Sequence, residues 1–190
     1  MFEKFEMRKI SLIFSVLVVT LTSLSSCAKS KHKIGDMYKG GYIFYINIWG
    51  KGICAAPKDY KNPVIWGCGG KLIEGADGEK RGTGKQNTQD ILAGCDQPLT
   101  AAKICDDYVY DNYDDWYLPS IEELELMYFQ LKAQDLGSFN DNTYWSSTQD
   151  FSYGAWCVDF STGDRVNNRS KSDLGSSFSQ GVFVRPVRSF

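Results

Sequence analysis

A hydrophobic leader ending in Leu24-Ser25-Ser26-Cys27 decides how much of this chain folds and in which compartment. Met7-Arg8-Lys9 is a short basic start, and the apolar run from Ile10 to Leu21 is too short to span a bilayer comfortably. A large apolar residue, two small ones and a cysteine at the end of such a run form the processing pattern of bacterial lipoprotein signals. The pattern predicts a signal peptide over residues 1–26, a lipidated Cys27, a polar tether over residues 27–33, and one domain over residues 34–190. Met7 gives a cleaner basic start than Met1, and either serves as the initiator. Several acyl chains on Cys27, at roughly 0.8 kcal/mol per buried methylene, would hold the domain to a membrane through that residue. Nothing after Cys27 reads as a membrane span.

Export sets the redox setting, because disulfides persist outside the cytoplasm. Beyond Cys27 the chain has Cys54, Cys68, Cys95, Cys105 and Cys157, an odd number that cannot all pair internally. Cys68, Cys95 and Cys105 cluster in a loop-rich region where a bridge would tie down irregular backbone. Cys54 and Cys157 sit in strand-like runs and are either bridged or buried side by side. No two of these cysteines are closely spaced and no histidine lies nearby, which argues against a thiolate metal site.

The single histidine, His32, falls in the tether. Serine or cysteine catalysis with an imidazole base, and a histidine-built zinc site, therefore lack their central group. Asp106, Asp107, Asp111, Asp114 and Asp115 are candidates for paired-carboxylate chemistry or calcium, yet their spacing matches no helix-loop-helix calcium loop. They read best as solvated turn formers. A net charge of −2 argues against a nucleic-acid partner. No enzyme and no cofactor are expected.

Glycines bound the β-prone run Gly41-Tyr42-Ile43-Phe44-Tyr45-Ile46, which should form a hairpin with a strand through Ala56. Residues 57–85 read as one long irregular segment, and loops of that length are usually functional or stapled. A short helix is predicted over 88–93 with Asn87 or Thr88 as cap, and another within 98–108. The third is clearer: Ser120 followed three residues later by Glu123 is a capping box, and Ile121, Leu124, Tyr128 and Leu131 form one apolar stripe. Three later segments, 144–147, 156–160 and 182–187, are expected to join the hairpin in an antiparallel sheet. Trp145 and Trp156 are assigned to packing, and Arg185 and Arg188 to structural ion pairs with helix acids.

Ordered motifs recur along the chain: GDMYKGGYIFYI from Gly35, GICAAP from Gly52, WGC from Trp66, GTGKQNT from Gly82 and AAKIC from Ala101. The more specific ones are DDWYLPSIEEL from Asp114, YWSSTQ from Tyr144, AWCVDFSTG from Ala155 and VRPVRSF from Val184. In these the chain resembles the domain at the C-terminus of the Legionella collagen-like adhesin. The resemblance implies an α+β, C-type lectin-like fold: an antiparallel sheet with two to three helices and long irregular loops displaying a ligand surface. It also implies binding of glycans, sulfated ones included, or of another macromolecule, without chemistry. Formylglycine-generating enzymes share a related fold but need a reactive cysteine pair near the C-terminal end, where only Cys157 lies. The founder's collagen repeat is absent, which leaves trimerisation open while an oligomer remains possible. Cys54 and Cys157 stand where relatives are expected to carry an aliphatic and an aromatic residue, which suggests an added bridge in this chain. Ala28 is not the aspartate that retains many lipoproteins at the inner membrane, so an outer-membrane place in the cell envelope is expected.

Residues 149–179 combine polar connections with rings and amides. Phe151, Tyr153, Asn167, Asn168 and Phe178 are candidates for stacking and hydrogen bonding to a sugar or peptide. Arg165, Arg169 and Lys171 are candidates for meeting sulfate or carboxylate. A different class of function also fits: a structural envelope protein that assembles with itself or with surface filaments through exposed β edges.

Overall fold

The computed structural model describes residues 31–175 and 181–190, so Cys27 and Phe178 lie outside the described residues. Strands β1 (Met37–Tyr38), β2 (Gly41–Ile46) and β3 (Gly52–Ala55) open the fold. Lys39 and Gly40, at φ 49° and 83°, make the two-residue turn between β1 and β2, the conformation whose twist matches a hairpin. The expected β2–β3 hairpin forms, with Tyr42 opposite Ala55 and Ile46 opposite Gly52. Strand β7 (Val187–Ser189) pairs with the other edge of β3, giving an antiparallel sheet in the order β1-β2-β3-β7.

The later strands do not join this sheet, which corrects the single-sheet expectation. β4 (Thr143–Gln149), β5 (Gly154–Asp159) and β6 (Arg165–Ser170) form a second antiparallel sheet in that order. The segment expected as one strand over 182–187 divides between the two sheets. Phe183 donates to Thr143 and accepts from Trp145, both at 2.9 Å, and lies beside β4. Pro186 then interrupts the donor series, since it has no N–H, and the chain resumes as β7 against β3. β6 was not anticipated. Its sequence Arg-Val-Asn-Asn-Arg-Ser lacks the apolar alternation of a half-buried strand because it is an exposed edge.

Among the described residues three α-helices complete the α+β fold, α1 (Gly84–Gly94), α2 (Ala101–Asp106) and α3 (Ile121–Gln130), and the arrangement is consistent with a C-type lectin-like architecture. α1 starts earlier than the sequence suggested, with Thr83 at its N-cap. Asn87 and Thr88 are not caps: Asn87 brackets Gly78 through its amide, and Thr88 Oγ1 accepts from the Leu118 N–H at 3.0 Å. α3 has the capping box the sequence predicted, with Ser120 Oγ accepting from Glu123 N and Glu123 Oε2 accepting from Ser120 N. Its buried stripe is Ile121, Leu124, Met127 and Leu131, while Tyr128 is half-buried against Phe160.

Two cores result. One gathers Trp66, Ile91, Trp145 and Cys157, and the other packs α3 through Leu124 and Met127 against Phe44, Tyr144, Phe160 and Val187. The buried indoles have backbone acceptors, Trp66 Nε1 to Ser146 at 2.9 Å and Trp145 Nε1 to Val64 at 2.8 Å. Trp156 is partly buried against the second core. Arg185 and Arg188 are in ion pairs as expected, but their partners, Asp59 and Asp115, lie in loops rather than helices. A bridge joins Cys68 and Cys95, leaving Cys105 as a buried free thiol. Cys54 and Cys157 are also free and buried, in β3 and β5 of different sheets, so the bridge between them does not form.

Candidate ligand-binding face

The four-residue connection between β4 and β5 displays two of the residues singled out from the sequence. Asp150 N donates to Gly154 O at 3.0 Å, closing a turn on which Phe151 and Tyr153 are 38% and 64% exposed. The turn is braced from both sides. Gly70 N donates to Ser152 O at 3.0 Å, and Lys171 N donates to Tyr153 O at 2.9 Å.

Each ring rests on a glycine. A side chain at Gly70, where φ is +92°, would lie 3.3 Å from Tyr153 Cε1, and one at Gly154 would meet Phe151 Cε1 at 2.6 Å and the Asn168 backbone at 3.2 Å. Phe151 and the Asn168 backbone therefore meet at Gly154, Tyr153 lies on the same turn against Gly70, and Asn167 is exposed on β6. Asn168 adopts φ 57°, a left-handed conformation that asparagine tolerates, where the β5–β6 register shifts.

The three cations of the same stretch are arranged differently. Arg165 grips Glu125 with two hydrogen bonds of 2.5 Å and has Glu79 at 3.6 Å, tying β6 to α3. Arg169 Nε lies 2.7 Å from Asp173. Lys171, expected as a cation available to sulfate or carboxylate, is fully buried. Its ammonium donates to Lys71 O at 2.9 Å and Gln149 Oε1 at 3.1 Å and lies 4.4 Å from the Trp66 ring centre. Burial pulls its pKa down to about 8, because the charged form is disfavoured away from water. A buried lysine is a strut between two segments and does not present its charge to a ligand in solution.

The neighbouring loop contributes residues that the sequence did not mark as ligand-binding candidates. Cys68, Gly69, Gly70 and Leu72 run beside the turn, and Leu72 is exposed. Ser172 Oγ sits against Gly69. The Cys68–Cys95 bridge anchors this loop to the end of α1, helped by Lys71 Nζ donating to Gly94 O at 2.7 Å. The Gly69-Gly70 doublet beside a cysteine was the legible signal, since it marks backbone that approaches something closely.

Groups with catalytic potential are dispersed or masked. Asp106, Asp107, Asp111 and Asp114 are exposed, and Asp115 is drawn below the usual carboxylate range by its hydrogen bonds from Arg188. Burial pushes the Cys157 thiol well above its ordinary value, which keeps it protonated and unreactive. Glu123, the one fully buried carboxyl among the described residues, is raised by burial and accepts from Ser120 N and Gly82 N. Among the described residues, no three His, Cys, Asp or Glu side chains gather as a metal site would require.

No curated protein matches this chain. A family model, the Lcl C-terminal domain, matches residues 57–188. The match takes in the loop stapled by Cys68–Cys95, all three helices and the sheet β4-β5-β6, and leaves out β1, β2 and β3. With most of the chain matched, including the whole face that bears Phe151 and Tyr153, the protein belongs to the Lcl C-terminal domain family, a family of adhesin type.

Proposed function

We propose that this protein is a non-catalytic, lipid-anchored binding module of the cell envelope that engages glycans through the Phe151–Tyr153 face. The observation that carries the reading is the pair of exposed rings on a turn hydrogen-bonded through Gly70 to the Cys68–Cys95 loop, with Asn167 and Asn168 exposed on β6, the strand paired with β5. Rings supply flat apolar area for the faces of sugar units, and amides supply paired donors and acceptors for hydroxyl groups. Arg165 and Arg169 face carboxylates of the protein itself and Lys171 is buried, so this surface suits neutral sugars better than sulfated chains. Cys27, at the end of the leader, supplies the anchor in this reading, and an outer-membrane location follows from the residue after it.

An array of neutral and sulfated glycans, probed with the protein at two salt concentrations, tests this. Binding to neutral chains should change little with salt and weaken about tenfold in Tyr153→Ala, the equivalent of about 1.4 kcal/mol. Binding confined to sulfated chains and weakened by salt would move the site elsewhere. No binding to any glycan would favour assembly with protein through the open β6 edge.

A further inference from the structure

The β2–β3 hairpin ends in Ile48 and Trp49, which are 70% and 79% exposed, and Trp49 is the most exposed large apolar side chain among the described residues. The tip is ordered by its own hydrogen bonds. Asn47 Oδ1 accepts from Trp49 N at 2.9 Å and from Lys51 N at 3.1 Å, and Gly50 N donates to Asn47 O at 3.0 Å. Two adjacent large apolar side chains are thus held out into water by a turn that does not let them fold back. This hairpin lies outside the residues matched by the family model.

Its position relative to the start of the described chain identifies what would cover it. Gly35 N donates to Ile43 O and Ile43 N to Asp36 O, so the first turn lies beside the middle of β2, and Asp36 N donates to Lys33 O where the chain reverses. From Ile43 to Asn47 the strand advances about 13 Å. From Lys33 back to Cys27 the chain reaches at most about 21 Å. A membrane holding acyl chains on Cys27 is therefore within reach of the hairpin tip. Lys31, Lys33 and Lys51 are exposed on these same segments, and lysines flanking an interfacial tryptophan favour an anionic lipid surface.

We propose that Ile48 and Trp49 dock into the headgroup region of the phospholipid bilayer that carries the Cys27 anchor, so that the domain is held at two points and takes one orientation on the membrane. The proposal rests on the lipid-anchor reading, and the test separates the two. Full-length lipidated protein is placed in vesicles of phosphatidylcholine and phosphatidylglycerol, with ordinary or brominated acyl chains. Flotation reads the anchor: wild type, Trp49→Phe and the Ile48→Ser/Trp49→Ser double variant should all float. Bromine quenching reads the tip. Wild-type tryptophan emission should fall by about a fifth, Trp49 being one of five tryptophans, and the fall should vanish in Trp49→Phe. Equal quenching in wild type and Trp49→Phe, with flotation intact, overturns the hairpin proposal and leaves the anchor standing. Failure of wild type to float overturns the anchor and the hairpin proposal with it. The substituted side chains point into water, so far-ultraviolet circular dichroism and the thermal unfolding midpoint should match wild type and rule out misfolding as the cause.

Discussion

The ammonium of Lys171 lies 4.4 Å from the ring centre of Trp66, in the interior of the domain. Among the described residues its hydrogen-bond partners are Lys71 O and Gln149 Oε1, neither of them a carboxylate. Gln149 in turn accepts from Ile73 N and donates to Ile73 O, so one buried lysine and one buried amide hold the 71–73 loop against β4. The loop behind the candidate face is thereby set by polar contacts as well as by the disulfide.

Lys171 gives a pH signature with a definite sign. Its pKa is about 8 in the folded state against 10.5 for an unburied lysine, so between these values the unfolded chain binds more protons. Its unfavourable contribution is complete below about 8 and is relieved as pH rises toward 10.5. The buried thiols, Cys54 raised to about 12 and Cys105 and Cys157 also raised, act in the opposite direction above their ordinary value near 9. Wild type should therefore be compared with Lys171→Met. Denaturant midpoints should show wild type gaining on the variant between pH 8 and 10.5, by at most about 1.4 kcal/mol per pH unit. A flat difference would mean that the lysine is not buried.

The two arginine pairs should differ in weight. Arg185 is fully buried, pairs with Asp59 at 2.5 Å, and also donates to Ala56 O, Gly137 O and Ser138 O, joining three segments. Tyr144 and Asn140 donate to the same aspartate. Asp59→Ala leaves a buried guanidinium without its counter-charge and should destabilise by about 3–5 kcal/mol. Asp115 is partly exposed, so Asp115→Asn should cost less, about 1–2 kcal/mol, as read from unfolding midpoints.

Acid should act on that second pair. Arg188 holds the Asp115 carboxyl below its ordinary value, so its stabilising contribution is present above about pH 4 and is lost as pH falls through the depressed value. The midpoint difference between wild type and Asp115→Asn should shrink as pH falls below 4.

At the start of α3, Ser120→Ala removes one cap acceptor and should destabilise by about 1 kcal/mol. Glu123→Ala should be worse, by about 2–3 kcal/mol, because the same carboxylate also accepts from Gly82 N at 2.8 Å and secures the loop before α1. Thermal unfolding of both variants measures the order.

Reducing the Cys68–Cys95 bridge, or replacing both cysteines with serine, should lower stability by about 3–4 kcal/mol from the loop it closes. If the bridged loop supports the Tyr153 ring, glycan affinity should fall more than it does in Arg165→Gln. That substitution removes an exposed ion pair, for about 0.5–1 kcal/mol of stability, and leaves the rings in place.

Local chemistry was readable without coordinates. Ser120 and Glu123 are three residues apart, the α3 stripe recurs at helical spacing, and glycines flank the first hairpin, so each pattern is decided by neighbours within one or two turns. The rings Phe151 and Tyr153 were also legible, because a short polar turn between two strands has little interior in which to hide them. Lys171 was not. A lysine in a polar stretch reads as solvated, and only Trp66 and Gln149, contributed from elsewhere in the chain, make a place for it inside. The same holds for the acids chosen by Arg185 and Arg188, for Cys95 rather than Cys105 as the partner of Cys68, and for the division of the strands into two sheets. The sequence alone determined the family motifs, the helix start and which residues crowd the β4–β5 turn. The tertiary structure decided which charges and thiols remain available, because burial and pairing depend on contacts between residues far apart in the chain, which local patterns do not encode.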